Sequence, residues 1–347
     1  MRGDRPGART AALPDDPVVV GEDVVAGRVP FDEALIGAWE ARARRPGLFR
    51  SSLDGATRRR ALRACGDQGR FWVQCNPGRS VRRAPTRGMS SVTAAFDPTA
   101  FHFAPGWINP EEVLMRLQLG GCPVDLLINV NPLGSAHGLI VIDPDAGRPQ
   151  VLDEQGVRAA MAVASMSRRA DFKVGFNSLQ ACASVNHYHF QCLYFRGQGV
   201  DDDLMPSERA AAPPRPILQG MSELVDHPAR GWCFTDKVRG GVAHATAGAV
   251  GVLQRHEVAH NLLITAQHAI VIPRVHQGLV PPGILPGLAF LEAHGEMLVV
   301  GESEQQARQL EQAMTDEEVE RQIGAIALEP MQFTELQEAI VAKLDAT

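Results

Sequence analysis

Residues 185–195 constrain the fold of this chain more than any other stretch. Polar and apolar side chains alternate there, with His187, His189 and Gln191 interleaved with Tyr188, Phe190 and Cys192. Successive side chains on a strand point to opposite faces, so the pattern requires an extended segment with one side against a core. The two aromatic residues and Cys192 take the buried side. Both histidines and the glutamine then stand in a row on the other side, about 7 Å apart, twice the rise per residue. Upstream, Ser184 and Asn177 lie where a loop can bring a hydroxyl and an amide to the same spot.

Such a row suits chemistry on phosphorus. Imidazole, with a pKa of about 6.5, is nucleophilic near neutrality, and its attack gives a phosphoramidate that splits one displacement into two. Flanking groups donate hydrogen bonds to phosphoryl oxygens as charge develops on them. A glutamine amide donates but shuttles no protons, so Gln191 points to an electrostatic role. Three other readings compete. A half-exposed strand whose polar face meets water needs no function at all. Two histidines at i and i+2 can chelate a metal, although Gln191 is a poor third ligand. Finally, His256-Glu257-Val258-Ala259-His260 matches the H-E-x-x-H pattern of zinc peptidases, which requires one continuous helix. The strand-like Asn261-Leu262-Leu263-Ile264-Thr265 follows at once, so that match reads as accidental.

The whole chain has 347 residues, enough for about two domains. With 45% hydrophobic and 21% charged residues it can bury a sizeable core, and a net charge of −6 is wrong for a general nucleic-acid binder. No apolar run approaches the roughly 18 residues of a membrane span, and the N-terminus lacks the apolar stretch of a signal peptide. A soluble, cytoplasmic protein is expected, with no nucleic-acid or membrane partner. Arginines crowd one region (Arg42, Arg44, Arg45, Arg50, Arg58, Arg59, Arg60, Arg63, Arg79, Arg82, Arg83 and Arg87), which suits a small anionic ligand.

Apolar periodicity predicts a helix over 31–43, strands over 124–130 and 138–142, a helix over 153–168 and the strand 185–195. A weaker copy follows, with a helix over 242–256 and strands over 261–265, 269–273 and 295–300. Residues 197–216 read as a loop, and 303–326 and 333–344 as acidic helices. The expected fold class is α+β, an antiparallel sheet with helices, built as two related units. The expected divisions are a flexible tail (1–28), an arginine-rich segment packing on the core (29–123), a catalytic unit (124–220) and a second, degenerate unit with C-terminal helices (221–347).

The segment Ser184-Val185-Asn186-His187-Tyr188-His189-Phe190-Gln191 resembles the histidine-triad (HIT) signature in its transferase form, where glutamine takes the third position. Ile128-Asn129-Val130-Asn131-Pro132-Leu133-Gly134-Ser135-Ala136-His137-Gly138 resembles the strand and turn that open the same fold. Further segments match the GDP-L-galactose and GDP-D-glucose phosphorylase branch, among them Gly47-Leu48-Phe49-Arg50, Gly78-Arg79, Phe101-His102-Phe103, Gly175-Phe176-Asn177-Ser178-Leu179 and His227-Pro228-Ala229-Arg230-Gly231. The matches run from about residue 31 to residue 265.

The resemblance implies a ping-pong phosphorolysis with GDP-sugar and inorganic phosphate as partners and no cofactor or metal. His189 would attack the α-phosphorus, His187 would orient the site, and Gln191 and Ser184 would hold phosphoryl oxygens. Asn129, Asn177, Asn186, His137 and Arg79 would approach the nucleotide. A chain with two HIT-like units can be a monomer or a homodimer. Other outcomes within the superfamily are transfer to another acceptor, hydrolysis, or silent nucleotide binding. The family usually carries glycine near Gln180, an aromatic residue near Cys182 and a more apolar, proline-bearing segment after Arg196; these departures bear on the sugar and the acceptor rather than on the nucleophile.

Overall fold

In the computed structural model the described residues are 21–51, 53, 59–62, 70–79, 90–195, 204–212, 214–281, 283, 285, 287–301 and 303–346. The strands are β1 (Arg60–Leu62), β2 (Phe71–Cys75), β3 (Val113–Leu119), β4 (Cys122–Ile128), β5 (Gly138–Ile142), β6 (Phe172–Asn177) and β7 (His189–Tyr194), then β8 (Arg215–Leu218), β9 (Met221–Glu223), β10 (Trp232–Thr235), β11 (Ala259–Ile264), β12 (His268–Arg274) and β13 (Glu296–Val299). Ten of them form one antiparallel sheet in the order β3-β4-β5-β7-β6-β11-β12-β10-β9-β8. Read outward from the β6–β11 seam, both halves follow one pattern. At that seam Asn177 lies opposite Asn261.

Alternation along the strands decides what covers each face. One face carries Val174, Phe176, Phe190, Cys192, Leu262 and Val271 against the helices Phe31–Ala43, Glu154–Met166, Val242–Arg255 and Pro330–Asp345. Helix Glu154–Met166 starts where the Asp153 side chain accepts the Gly156 N–H (2.9 Å), and it buries Val157, Ala160, Val163 and Ala164 at helical spacing. On the opposite face, the second half is covered by β1-β2-β13 and the helices Phe290–Ala293 and Asp316–Gly324. Over the first half, Phe103 and Val185 pack on Leu127, Leu139 and Val141. That thinner cover brings a loop, not a helix, over His189.

Several expectations need correction. The strand expected over 185–195 begins at His189, and residues 185–188 form a bend before it. β1, β2, β3, β6, β8, β9 and β10 had not been expected. Residues 206–210 and 215–216, expected as loop, fall in a helical turn and in β8, while residues 196–203 lie outside the described residues. β13 was expected to close the second unit, yet it pairs in parallel with β2 in the small sheet, Glu296 opposite Trp72. The structural counterpart of β7 is β12, so the segment Glu292-Ala293-His294-Gly295-Glu296 does not stand where a lost histidine row would be. The helix expected over 303–326 is two, broken at Thr315, which caps the second. Residues 1–20 lie outside the described residues, whereas Gly21–Val25, expected in the tail, is helical against β3.

Candidate active site

His189 opens β7, 7% exposed, with its ring edge-on to Phe103 at 5.0 Å. Its Nδ1–H donates to the His187 carbonyl at 2.7 Å. This fixes the tautomer and leaves the lone pair on Nε2. Burial lowers the His189 pKa to about 4, with the His187 carbonyl working weakly in the other direction. The ring is therefore neutral across the physiological range.

His187 does not stand in line with it. Its ring is fully buried beneath the loop 96–107, and Nδ1 accepts the Phe103 N–H at 3.0 Å, so the proton sits on Nε2, which has no partner among the described residues. Burial, then the neighbouring His102 and His189, lower its pKa to about 3. His102 stacks on Phe96 at 5.2 Å and meets Trp107 edge-on at 4.5 Å, with Trp107 still 40% exposed at the rim. These aromatic residues form a wall beside the two histidines. Of them, the sequence reading had only the resemblance of the 101–103 segment.

Gln191 follows two residues after His189 on the same face of β7. His137 determines which end of its amide is available. Leu133 N–H donates to His137 Nδ1 at 2.9 Å, so His137 carries its proton on Nε2 and donates it to Gln191 Oε1 at 3.0 Å. The Gln191 carbonyl is thereby held and its NH2 remains as donor. Burial, then the Arg79 charge, push the His137 pKa down to about 3, which keeps this neutral tautomer in place. The helix Phe31–Ala43 supports the arrangement, since Trp39 Nε1–H donates to the His137 carbonyl at 3.0 Å.

The other expected residues divide into two groups. Asn129 lies beside His137, its Oδ1 accepting from the Asn131 N–H at 3.0 Å, and Arg79 Nε donates to the Asn131 carbonyl at 3.3 Å. These two share the neighbourhood of Gln191. Asn186 and Asn177 are instead engaged within the chain. Asn186 accepts from Gln150 N–H and donates to the carbonyls of Ala94 and Ala95. Asn177 Oδ1 takes hydrogen bonds from Asn261 and from the Phe290 N–H, both at 2.7 Å. Ser184 is half-buried in the bend before His187.

Just before Ser184, Gln180 and Cys182 have φ of 65° and 70°, the left-handed region. A glycine at position 180 would adopt that conformation without strain.

Among the described arginines of the arginine-rich segment, two are buried. Arg59 is buried against Glu296 (2.9 Å) with its guanidinium over Trp72, and Arg42 is buried too. Arg58, Arg63, Arg82, Arg83 and Arg87 lie outside the described residues. The H-E-x-x-H match dissolves as well: the helix ends at Arg255, and His260 is in β11. Glu257 instead accepts from Ser91, Val92 and Thr93 and pins the start of the loop that roofs the site. Among the described residues no group of three or more His, Cys, Asp or Glu could hold a metal ion, and no helix is long and apolar enough to cross a membrane.

Comparison with known proteins agrees with this geometry. Residues 30–193 match the model of the GDPGP1-like N-terminal domain. GDP-D-glucose phosphorylase 1 of Homo sapiens is 36% identical over 248 residues, covering 68% of this chain and 61% of that protein. GDP-L-galactose phosphorylase 1 of Arabidopsis thaliana is 27% identical over 357 residues, covering 90% and 76%. The chain thus spans less than two thirds of the length of the human relative. Among solved structures, yeast Ap4A phosphorylase Apa2 in complex with Ap4A superposes with a TM-score of 0.60 at 14% identity, over 86% of this chain and 97% of that one. That likeness bears on the fold, which is HIT-like. By sequence, the chain belongs to the family of GDP-D-glucose and GDP-L-galactose phosphorylases.

Proposed function

We propose that this chain is a nucleotidyltransferase that phosphorolyses a GDP-hexose to hexose 1-phosphate and GDP. The observation that carries the reading is the pairing of a neutral imidazole, its Nε2 lone pair left open by the Nδ1–H bond to the His187 carbonyl, with a glutamine amide whose donor end is left outward by His137. The relatives' activities point the same way. His189 Nε2 attacks the α-phosphorus, the bond from that phosphorus to the bridging oxygen breaks, and hexose 1-phosphate leaves. The ring becomes a phosphoramidate whose positive charge is shared through Nδ1–H with the His187 carbonyl. Inorganic phosphate then attacks the same phosphorus, the P–N bond breaks, and GDP departs with the imidazole restored. Gln191 donates to the equatorial oxygens in both steps, with Ser184, Asn129 and Arg79 around the phosphates. Asn177 and Asn186 hold the surrounding backbone.

Incubation with GDP-glucose or GDP-L-galactose tests this. GDP, and hexose 1-phosphate beyond one equivalent per polypeptide, are expected only when phosphate is present. Release of GMP in its absence would mean that water is the acceptor, and no turnover of any GDP-hexose would overturn the reading.

The pH profile is a second test. Protonation of His189 removes the attacking lone pair, and its pKa is lowered to about 4. The acid limb of kcat/KM should therefore lie near 4, with the rate flat from neutrality down to about pH 5. An acid limb at the ordinary histidine value of about 6.5 would contradict the buried, neutral nucleophile.

A further inference from the structure

Along β6 and β7 the ladder runs Phe172–Tyr194, Lys173–Leu193, Val174–Cys192 and Gly175–Gln191, and there it stops. Continued in register, it would set Asn177 opposite His189. Those two backbones are not paired; the side chain of Gln150 lies between them. Its Oε1 accepts the His189 N–H at 2.8 Å, and its Nε2 donates to the His189 carbonyl at 2.9 Å and to the Asn177 carbonyl at 3.0 Å. One buried carboxamide thus replaces a backbone rung, using both amide hydrogens and the carbonyl.

The same short loop fastens the residues just upstream. Gln150 N–H donates to Asn186 Oδ1 at 2.8 Å, and the Arg148 carbonyl accepts the Tyr188 N–H at 3.0 Å. Residues 186–189 are therefore held at three successive points by 148–150. The His187 carbonyl, which fixes the His189 tautomer, lies inside that clamp.

Resting on the proposed phosphorolysis, we propose that Gln150 is a positioning residue for the nucleophile: its carboxamide, wedged between β6 and β7, sets the His189 backbone so that Nδ1–H meets the His187 carbonyl and Nε2 faces the substrate. A rung made by a side chain can be changed without altering the strands, which makes the assignment testable. Its effect should fall on the chemical step, because displacement of a reacting group by about 1 Å costs on the order of 10²-fold in rate.

Two variants and one spectroscopic measurement decide it. Gln150→Met keeps the length of the side chain and removes all three hydrogen bonds. In the full-length variant, kcat for GDP-glucose phosphorolysis should fall about 100-fold while KM stays within about threefold. Gln150→Glu should be as slow near neutrality, where a carboxylate faces two carbonyl oxygens. Its rate relative to wild type should rise as pH falls toward about 5.5, because the protonated carboxyl regains one of the two donors. A merely architectural role would give a ratio that does not change with pH.

The ¹⁵N shifts of the His189 ring report the tautomer without turnover. A single Nδ1–H form is expected in wild type and a mixture in Gln150→Met. An active wild type with an unchanged kcat in Gln150→Met, or a folded Gln150→Met that keeps the single tautomer, would overturn the assignment. A wild type inactive on every GDP-hexose would instead overturn the proposed function, and the ring shifts would still decide the role of Gln150.

Discussion

Exchange of His189 for asparagine is expected to lower phosphorolysis by on the order of 10⁴-fold or more, the usual scale for loss of a nucleophile, and to abolish any guanylyl adduct trapped without phosphate. Exchange of His187 for asparagine should cost far less, about 10- to 100-fold. The structure supplies the reason for the difference. In the proposed mechanism His187 orients the His189 ring through its backbone carbonyl, which any residue at that position provides. Its ring does something else, accepting the Phe103 N–H and holding the aromatic loop over the site. An asparagine carbonyl oxygen can take over part of that bond. Rapid quench with labelled GDP-glucose reads both effects, and equal losses in the two variants would contradict the roles assigned to them.

The largest stability effect is expected at Glu208. Its carboxylate meets Lys173 Nζ at 2.8 Å and His268 Nε2 at 3.2 Å, and the Lys173 and Glu208 side chains are only 3% exposed. Lys173 belongs to β6 and His268 to β12, so the carboxylate ties the two halves of the sheet together. Burial works to raise the Glu208 pKa, but the adjoining His268 imidazole and the Lys173 charge outweigh it and leave the pKa lowered. A lowered carboxylate pKa stabilises the fold above the unfolded-state value and loses that contribution as pH falls through the folded-state value.

Glu208→Ala strands the Lys173 ammonium in the interior and should cost about 3–5 kcal/mol, measured by urea unfolding at neutral pH. Lys173→Met combined with Glu208→Leu should recover most of the loss, since replacing both partners of a buried pair by apolar groups is often neutral. A double variant as unstable as the single one would show that packing, not charge, governs this spot.

The same cluster explains why part of the fold was hidden in the sequence. β6 contains a lysine and a mid-strand glycine, neither expected in a central strand. Lys173 is tolerated because Glu208 reaches it. Gly175 is required because a Cβ there would come within 2.2 Å of the Phe290 ring. Both partners lie far along the chain, so local pattern could not reveal the strand. Missing β6 also shifted the expected internal repeat, which matched the Asn129 strand with β11, whereas β6 with Asn177 is the partner of β11 across the seam.

Part of the fold could be read locally. The alternation around Phe190 marks β7, and apolar spacing marks the helices Glu154–Met166 and Val242–Arg255. His189, Gln191, His137 and Asn129 do gather at one place. Gln150 carries no motif and no periodicity. Its importance comes from a gap in the ladder that exists only once β6 and β7 are set side by side.

The unbroken seam between β6 and β11 has a consequence for stoichiometry. A symmetric pair of separate subunits would present two reactive rings per assembly. Here both halves come from one polypeptide, and where β7 offers His189 and Gln191, the matching face of β12 offers Ile270, Ile272 and a fully engaged Arg274. Without phosphate, a burst of hexose 1-phosphate should therefore level off at one equivalent per polypeptide, however many chains associate.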